Sequence, residues 1–121
     1  MSLKIETTLE DDIPVIKIEG ELTRATTNQH MPLQTEILKR ARLGNYKVIV
    51  DLSRTRFLDG KGLACLIEIS EIVRLHEGKI GIVSNNDLYT RILKFEKFHD
   101  LFTVFDSLTE ATFTLAEFVN P

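Results

Sequence analysis

Apolar and polar residues alternate in two short stretches near the N-terminus of the chain. The first stretch is Leu3 to Leu9, and the second begins at Ile13 and runs to Ile18. Asp11 and Asp12 lie between the two stretches, and aspartates are typical of tight turns. The pattern therefore predicts that the chain opens with a β-hairpin.

A helix is predicted after the hairpin, because apolar residues recur there at helical spacing. Gly44 stands where such a helix would end. Pro32 is tolerated only in the first turn of a helix, so the helix is expected to begin between Asn28 and Met31. The apolar positions of this helix are Leu33, Ile37, Leu38 and Ala41.

Three short apolar runs predict further strands. The run from Tyr46 to Leu52 has an unbroken apolar centre, which is typical of a strand that helices cover on both faces. The run from Lys79 to Val83 has the same character, and Phe102 to Phe105 forms the last one. We therefore expect the first two of these strands to be central in a helix-covered sheet.

Each of these three strands is followed by a segment with helical features. The first and longest segment runs from Leu63 to His76. Asp59 is expected to cap this helix, which should begin near Gly62. Asn85 or Asn86 can cap the second helix, and Ser107 opens the third with the capping-box spacing to Glu110. The apolar positions of the three helices are Leu63, Leu66, Ile67 and Val73 with Ile69 and Ile72 beside them, then Leu88, Ile92 and Leu93, and finally Ala111, Leu115 and Phe118.

The predicted element order is ββαβαβαβα, which is typical of an α/β sandwich with a mixed central sheet. A chain of 121 residues with 43% hydrophobic residues is expected to form one domain over residues 1–121.

The apolar runs of the chain are shorter than the roughly 20 residues that span a bilayer. Cys65 is the one cysteine, which suits a reducing compartment. We therefore expect a soluble cytoplasmic protein.

The charge of the chain is small in total but uneven in distribution. The sequence has 15 basic and 18 acidic residues, a net charge of -3, which disfavours a nucleic-acid-binding domain. Between Lys39 and Lys61, however, seven basic residues stand against two acidic ones. This segment is either a solvated surface or a positive patch that meets an acidic partner or an anion.

The residue types that support catalysis do not form a recognisable constellation. His30, His76 and His99 are too far apart in sequence for a metal-binding pair, and Cys65 within an apolar helix is expected to be structural. Gly60-Lys61-Gly62 opens a helix but lacks the other residues of a P-loop. The phenylalanines fall at core-like positions, which leaves no stacking surface for bases. We expect no enzymatic activity, no cofactor and no metal.

The stretch from Val48 to Leu63 resembles the signature of STAS domains, the sulphate transporter and anti-sigma factor antagonist family. Members have a hydrophobic strand, Asp-Leu-Ser, a short loop, an apolar pair, and then Asp-Ser-Ser/Ala-Gly-Leu at the start of a helix. The matching residues are Asp51-Leu52-Ser53, Phe57-Leu58-Asp59 and Gly62-Leu63, together with Gly20-Glu21-Leu22 and with Asp106-Ser107 before Glu110-Ala111.

This resemblance implies a protein-binding switch. In anti-sigma factor antagonists, the serine directly after the aspartate is phosphorylated by a partner kinase that is also the anti-sigma factor. The unphosphorylated antagonist binds that partner and frees the sigma factor. A phosphate adds nearly two negative charges to the docking surface and so disrupts the fit.

The sequence departs from the family pattern at this switch. Gly60 occupies the phosphosite-equivalent position and has no hydroxyl group, and Lys61 replaces the usual small residue. Thr23 stands where the family usually has an aspartate that contributes to docking. Ser53 matches a strand-end serine of the family that is not the phosphosite. The resemblance therefore implies the family fold without phosphorylation at residue 60.

We predict a regulatory module that binds an anti-sigma factor, a kinase-like ATPase or another regulatory protein. Two alternatives are open: a soluble STAS subunit of an ABC-type transport system, and a ligand or nucleotide sensor that uses Lys61, Arg54 and Arg56. Neither nucleic-acid binding nor membrane insertion is expected, and a homodimer is also open. The partner is expected to dock on the loop from Ser53 to Lys61 and on the start of the next helix. The residues predicted to bind the partner are Thr23, Ser53, Arg54, Arg56, Asp59, Gly60, Lys61 and Gly62.

Overall fold

A computed structural model describes residues 2–27 and 33–119 of the chain. The predicted α/β order is confirmed, with one short strand added after the third. The expected helix start between Asn28 and Met31 lies outside the described residues, as does His30. The elements are β1 (Leu3–Glu10), β2 (Ile13–Leu22), α1 (Leu33–Leu43), β3 (Lys47–Asp51), β4 (Thr55–Leu58), α2 (Gly60–Leu75), β5 (Lys79–Val83), α3 (Asp87–Leu93), a 3-10 turn (Glu96–Phe98), β6 (Thr103–Phe105) and α4 (Leu108–Ala116).

The strands form a mixed sheet, as the sequence predicts. Their order is β1-β2-β3-β5-β6, and β4 pairs with the C-terminal part of β2. β1 is antiparallel to β2, whereas the pairs between β2, β3, β5 and β6 are parallel. The carboxyl ends of the parallel strands therefore share one edge of the sheet, and α2 begins at that edge directly after β4.

The N-terminal hairpin closes with a two-residue turn. Asp11 and Asp12 both adopt positive φ, 51° and 64°, between the paired residues Glu10 and Ile13. Two successive residues with positive φ define the type I′ turn, whose twist matches that of an antiparallel hairpin. The predicted hairpin is thus confirmed together with its turn.

Two hydrophobic clusters cover the two faces of the sheet. The larger cluster joins the sheet to α1 and α2, and the smaller one joins it to α4. Ile69 is fully buried in the larger cluster, whereas Leu63 and Ile67 are half-buried, so the predicted stripe of α2 is rotated. The reason is that α2 contacts α1 as well as the sheet, which buries a wider arc of the helix. Within the described residues, no helix is long and apolar enough to span a membrane.

Candidate functional site

Asp59 forms the N-cap of α2. Its Oδ1 accepts a hydrogen bond from the backbone N–H of Gly62 at 2.8 Å, and its backbone is extended. A carboxylate at this position satisfies an unpaired N–H of the first turn and complements the helix dipole. The predicted cap is confirmed, although α2 begins at Gly60, two residues earlier than expected.

The same carboxylate also holds the segment that follows β2. Oδ2 of Asp59 accepts a hydrogen bond from the backbone N–H of Arg24 at 2.9 Å, and the N–H of Asp59 donates to the carbonyl of Leu22 at 3.3 Å. Hydrogen bonds from backbone N–H groups to the carboxylate lower the pKa of Asp59, the one from Arg24 most strongly, while desolvation acts in the opposite direction. The start of α2 and the end of β2 are therefore joined through one ionised side chain.

A buried hydroxyl shapes the segment that contains Thr23. Oγ1 of Thr26 accepts from the N–H of Thr23 at 3.0 Å and donates to the carbonyl of Glu21 at 2.5 Å. Thr26 is buried, whereas Thr23 is partly exposed. Sequence reasoning missed Thr26, although a threonine three residues after another one has the spacing of a hydroxyl-capped turn.

The two glycines at the start of α2 have different surroundings. A Cβ atom added to Gly60 would meet no atom within 4 Å, and Gly60 does not adopt a left-handed φ. A Cβ added to Gly62 would overlap the carbonyl oxygen of Leu22 and lie 2.9 Å from its carbonyl carbon. Gly60 is thus open to solvent, whereas Gly62 is buried and permits the close approach of α2 to β2.

Phe57 lies beside this helix start and is 56% exposed. It pairs with Glu21 in the register between β4 and β2, two residues before Thr23. The expectation that the phenylalanines occupy core positions is wrong here, because β4 lies at the surface where the sequence predicts a loop. We call the exposed and partly exposed residues around the helix start the Asp59 surface: Thr23, Arg24, Phe57, Asp59, Gly60 and Lys61.

Ser53, Arg54 and Arg56 lie at a different place. The N–H and the hydroxyl of Ser53 donate to Oδ1 of Asp51 at 2.9 and 2.7 Å. β4 separates Ser53 and Arg54 from Asp59 along the chain, and an extended strand advances about 3.3 Å per residue. Arg54 and Arg56 line a cleft of about 370 Å³ whose other lining residues are Ser2, Lys4, Glu19 and Gly20. Lys61, which the sequence groups with these arginines, does not line this cleft.

The other candidate residues have structural surroundings. Cys65 is 3% exposed, and burial, followed by the nearby charge of Glu68, raises its pKa to about 11. The ring of His76 stacks on Tyr46 with centroids 3.9 Å apart, and its Nδ1 lies 2.9 Å from the carbonyl oxygen of Ile72. Residues 2–27 and 33–119 contain no group of three or more metal-ligating side chains placed to bind an ion.

Comparisons with known proteins agree with this architecture. The family model described as STAS domain matches residues 4–111. An anti-sigma factor antagonist from Mycobacterium paratuberculosis has a similar structure, with a TM-score of 0.79, 21% sequence identity and 96% of each chain covered. The anti-sigma factor antagonist SpoIIAA in its unphosphorylated form has a TM-score of 0.68 at 15% identity, over 98% of this chain and 100% of that one. A STAS domain protein from Planctomyces limnophilus has a TM-score of 0.73 at 15% identity, over 95% and 99%. At these identities, the structural similarities describe the fold.

Proposed function

Because the chain belongs to the STAS domain family, we propose that it is a non-catalytic regulatory module that binds a protein partner through the Asp59 surface. The similar structures of anti-sigma factor antagonists support a regulatory role. We propose further that the module is one cytoplasmic domain over residues 1–121. Its partner in this proposal is an anti-sigma factor or a related kinase-like ATPase.

The exposure of Gly60 is the observation that carries this proposal. Residue 60 follows the capping Asp59 and has open space around its Cα atom. A hydroxyl at this place would be accessible to a kinase, but glycine provides none. The surface around residue 60 therefore keeps the charge that it has without phosphate, and partner binding does not depend on phosphorylation there.

The charges of the Asp59 surface indicate the chemistry of the partner. Arg24 and Lys61 are exposed and basic, and the one acidic group is already occupied by two backbone N–H groups. Phe57 adds an exposed aromatic ring, and aromatic residues are frequent among the residues that dominate binding energy. A partner surface with acidic residues around an apolar pocket complements this arrangement.

Substitution of Gly60 tests the proposal. The partner is first captured with the full chain, identified by mass spectrometry and purified, and its Kd is then measured for the parent, Gly60→Ser and Gly60→Asp. Gly60→Asp adds a negative charge where the partner docks, so we expect binding at least about tenfold weaker, or about 1.4 kcal/mol. Gly60→Ser is the matched control of similar size and should bind like the parent.

The proposal fails if Gly60→Asp folds normally and binds the purified partner as tightly as the parent.

The identity of the captured partner distinguishes two biological roles of the chain. An anti-sigma factor or kinase-like ATPase supports control of a sigma factor, whereas an ABC ATPase with its permease would assign the chain to a transport system.

We propose anion binding as a second candidate function, located in the cleft of Arg54 and Arg56. Three cationic side chains line that cleft, Lys4, Arg54 and Arg56, against one acidic side chain, Glu19. Thermal unfolding in the presence of inorganic pyrophosphate tests this function. A ligand at 100 times its Kd stabilises by about 2.7 kcal/mol, and Arg56→Gln should reduce that stabilisation. An unchanged melting temperature would exclude pyrophosphate as a ligand.

A further inference from the structure

β1 is the terminal strand of the sheet on the side away from β6. Within the described residues it pairs with β2 alone, along all eight of its residues. Such an edge presents a row of unpaired backbone N–H and C=O groups that can accept another strand. Leu9 lies on this strand and is 66% exposed.

The pairing with β2 determines which backbone groups point to the free edge. The N–H of Glu21 donates to the carbonyl of Ser2 at 3.0 Å, and Glu10 and Ile13 close the two-residue turn. Both observations make the even-numbered residues of β1 the hydrogen-bonded partners of β2. In an antiparallel ladder these positions alternate, so the odd-numbered residues direct their backbone groups to the free edge: Leu3, Ile5, Thr7 and Leu9.

We propose that β1 pairs antiparallel with β1 of a second copy of this chain, with Thr7 opposite Thr7 of the partner subunit. In this register Lys4 lies opposite Glu10 of the partner subunit, and Ile5 lies opposite Leu9 of the partner subunit. The two-fold symmetry repeats each pair. Opposite charges and apolar side chains at directly opposed positions both stabilise a sheet.

The other registers are less favourable. A shift of one residue would place each odd-numbered residue opposite an even-numbered residue, whose backbone groups point to β2 and not to the free edge. Only registers that pair odd-numbered with odd-numbered residues therefore form a hydrogen-bonded ladder. A shift by two residues in one direction places Glu6 opposite Glu6 of the partner subunit. A shift by two in the other direction places Glu6 opposite Glu10 of the partner subunit. Both arrangements oppose like charges, which destabilises a pair.

Thr7 provides a second observation at the proposed symmetry axis. Its hydroxyl oxygen is buried and has no hydrogen-bond partner within the described part of the chain, and the same is true of the hydroxyl of Thr8 beside it. Buried hydroxyl groups are usually hydrogen-bonded. In the proposed dimer this side chain faces its own symmetry mate, and opposed threonines form a favourable cross-strand pair. No residue of the Asp59 surface takes part in this contact.

A charge-exchange experiment on the full chain tests the dimer. Sedimentation over a range of protein concentrations should give a dimer for the parent. Lys4→Glu should raise the dimer Kd at least tenfold, since it opposes two acidic residues in each of the two outer pairs. The double variant Lys4→Glu/Glu10→Lys restores opposite charges and should dimerise like the parent. Within one chain, Lys4 also lies opposite Glu19 of β2. Melting curves of the parent and of both variants therefore show whether the change at residue 4 lowers the stability of the fold itself.

Proline substitution provides the matched backbone test. Thr7→Pro removes an N–H that points to the free edge, so it should abolish the dimer while the hairpin remains folded. Thr8→Pro removes an N–H that bonds to β2 and should destabilise the fold. A parent that is monomeric at all concentrations would overturn the proposal. A dimer that Lys4→Glu and Thr7→Pro leave unchanged would also overturn it.

Discussion

The carboxylate of Asp59 accepts a hydrogen bond from the backbone N–H of Arg24 at 2.9 Å, although 35 residues separate the two along the chain. This contact fixes the segment after β2 against the start of α2. The other oxygen of the Asp59 carboxylate accepts a hydrogen bond from the backbone N–H of Gly62. Asp59 therefore acts as a structural clamp at the surface where we place partner binding.

Replacement of Asp59 by alanine should destabilise the fold. Asp59→Ala removes the cap of α2 and leaves the N–H of Arg24 without its acceptor. We expect a loss of about 0.5–2 kcal/mol in the free energy of unfolding, which is the usual range for an N-cap. Urea denaturation measures this loss. An unchanged free energy of unfolding would contradict the clamp.

The clamp also predicts a pH dependence. The pKa of Asp59 is lowered in the folded state, so its stabilising contribution is complete above the ordinary pKa of about 4. The contribution decreases as the pH falls through the lower, folded-state pKa. The stability difference between the parent and Asp59→Asn, measured by urea denaturation, should be constant from about pH 5 to 7 and shrink below about pH 4. A difference that stays constant to lower pH would contradict this assignment.

Gly62→Ala and Gly60→Ala form a matched pair in one helical turn. The new methyl group at residue 62 would collide with the backbone of Leu22, and we expect a loss of about 1–3 kcal/mol. The methyl group at residue 60 meets open space, so stability should be unchanged or raised by up to about 1 kcal/mol. Thermal unfolding of both variants measures the difference, and equal melting temperatures would refute the close contact.

Cys65 should react slowly with thiol reagents in the native protein. The thiol is buried, and its pKa of about 11 leaves little of the reactive thiolate at neutral pH. Labelling by a chromogenic disulfide should become fast only in denaturant. Rapid labelling of the folded protein would show that this part of α2 opens readily.

Phe57 should contribute to partner affinity without contributing much to stability. Its ring is 56% exposed, so Phe57→Ala removes little buried area from the folded protein. If Phe57 fills a pocket of the partner, the variant should bind about tenfold more weakly or worse. Phe113→Ala on α4 is the control, because Phe113 is 68% exposed and lies outside the Asp59 surface. Equal affinities of the two variants by titration calorimetry would remove Phe57 from the docking site.

Most of the fold follows from local sequence signals. The strand Lys79–Val83 is confirmed at both ends, and the caps Asn86 and Ser107 accept the expected N–H groups at 3.1 and 3.2 Å. These features depend on neighbouring residues, so periodicity and cap spacing are sufficient to predict them. The sequence pattern does not predict β4, because its four residues have no clear alternation. Its strand conformation depends on pairing with β2, more than 30 residues earlier.

The candidate site was less predictable than the fold, for the same reason. The sequence predicts Asp59 as a cap, because a cap depends only on the residues at the helix start. Its contact with Arg24 uses a backbone N–H, which every residue except proline offers, so no residue type indicates it. The sequence groups Arg54 and Arg56 with Lys61, because the pattern of the intervening residues predicts a loop. As a strand, these residues carry the arginines to a separate cleft.

The unequal cover of the sheet has a consequence for hydrogen exchange. One face is covered by α1 and α2, whereas within the described residues the opposite face packs against the nine residues of α4. Local opening of α4 would expose Ile49 and Val83 to water while the larger cluster stayed intact. Amide protons of α4 should therefore exchange through sub-global opening, and those of β3 only through global unfolding. Occupation of the Asp59 surface should then slow exchange in the first turn of α2 and leave the rate in α4 unchanged.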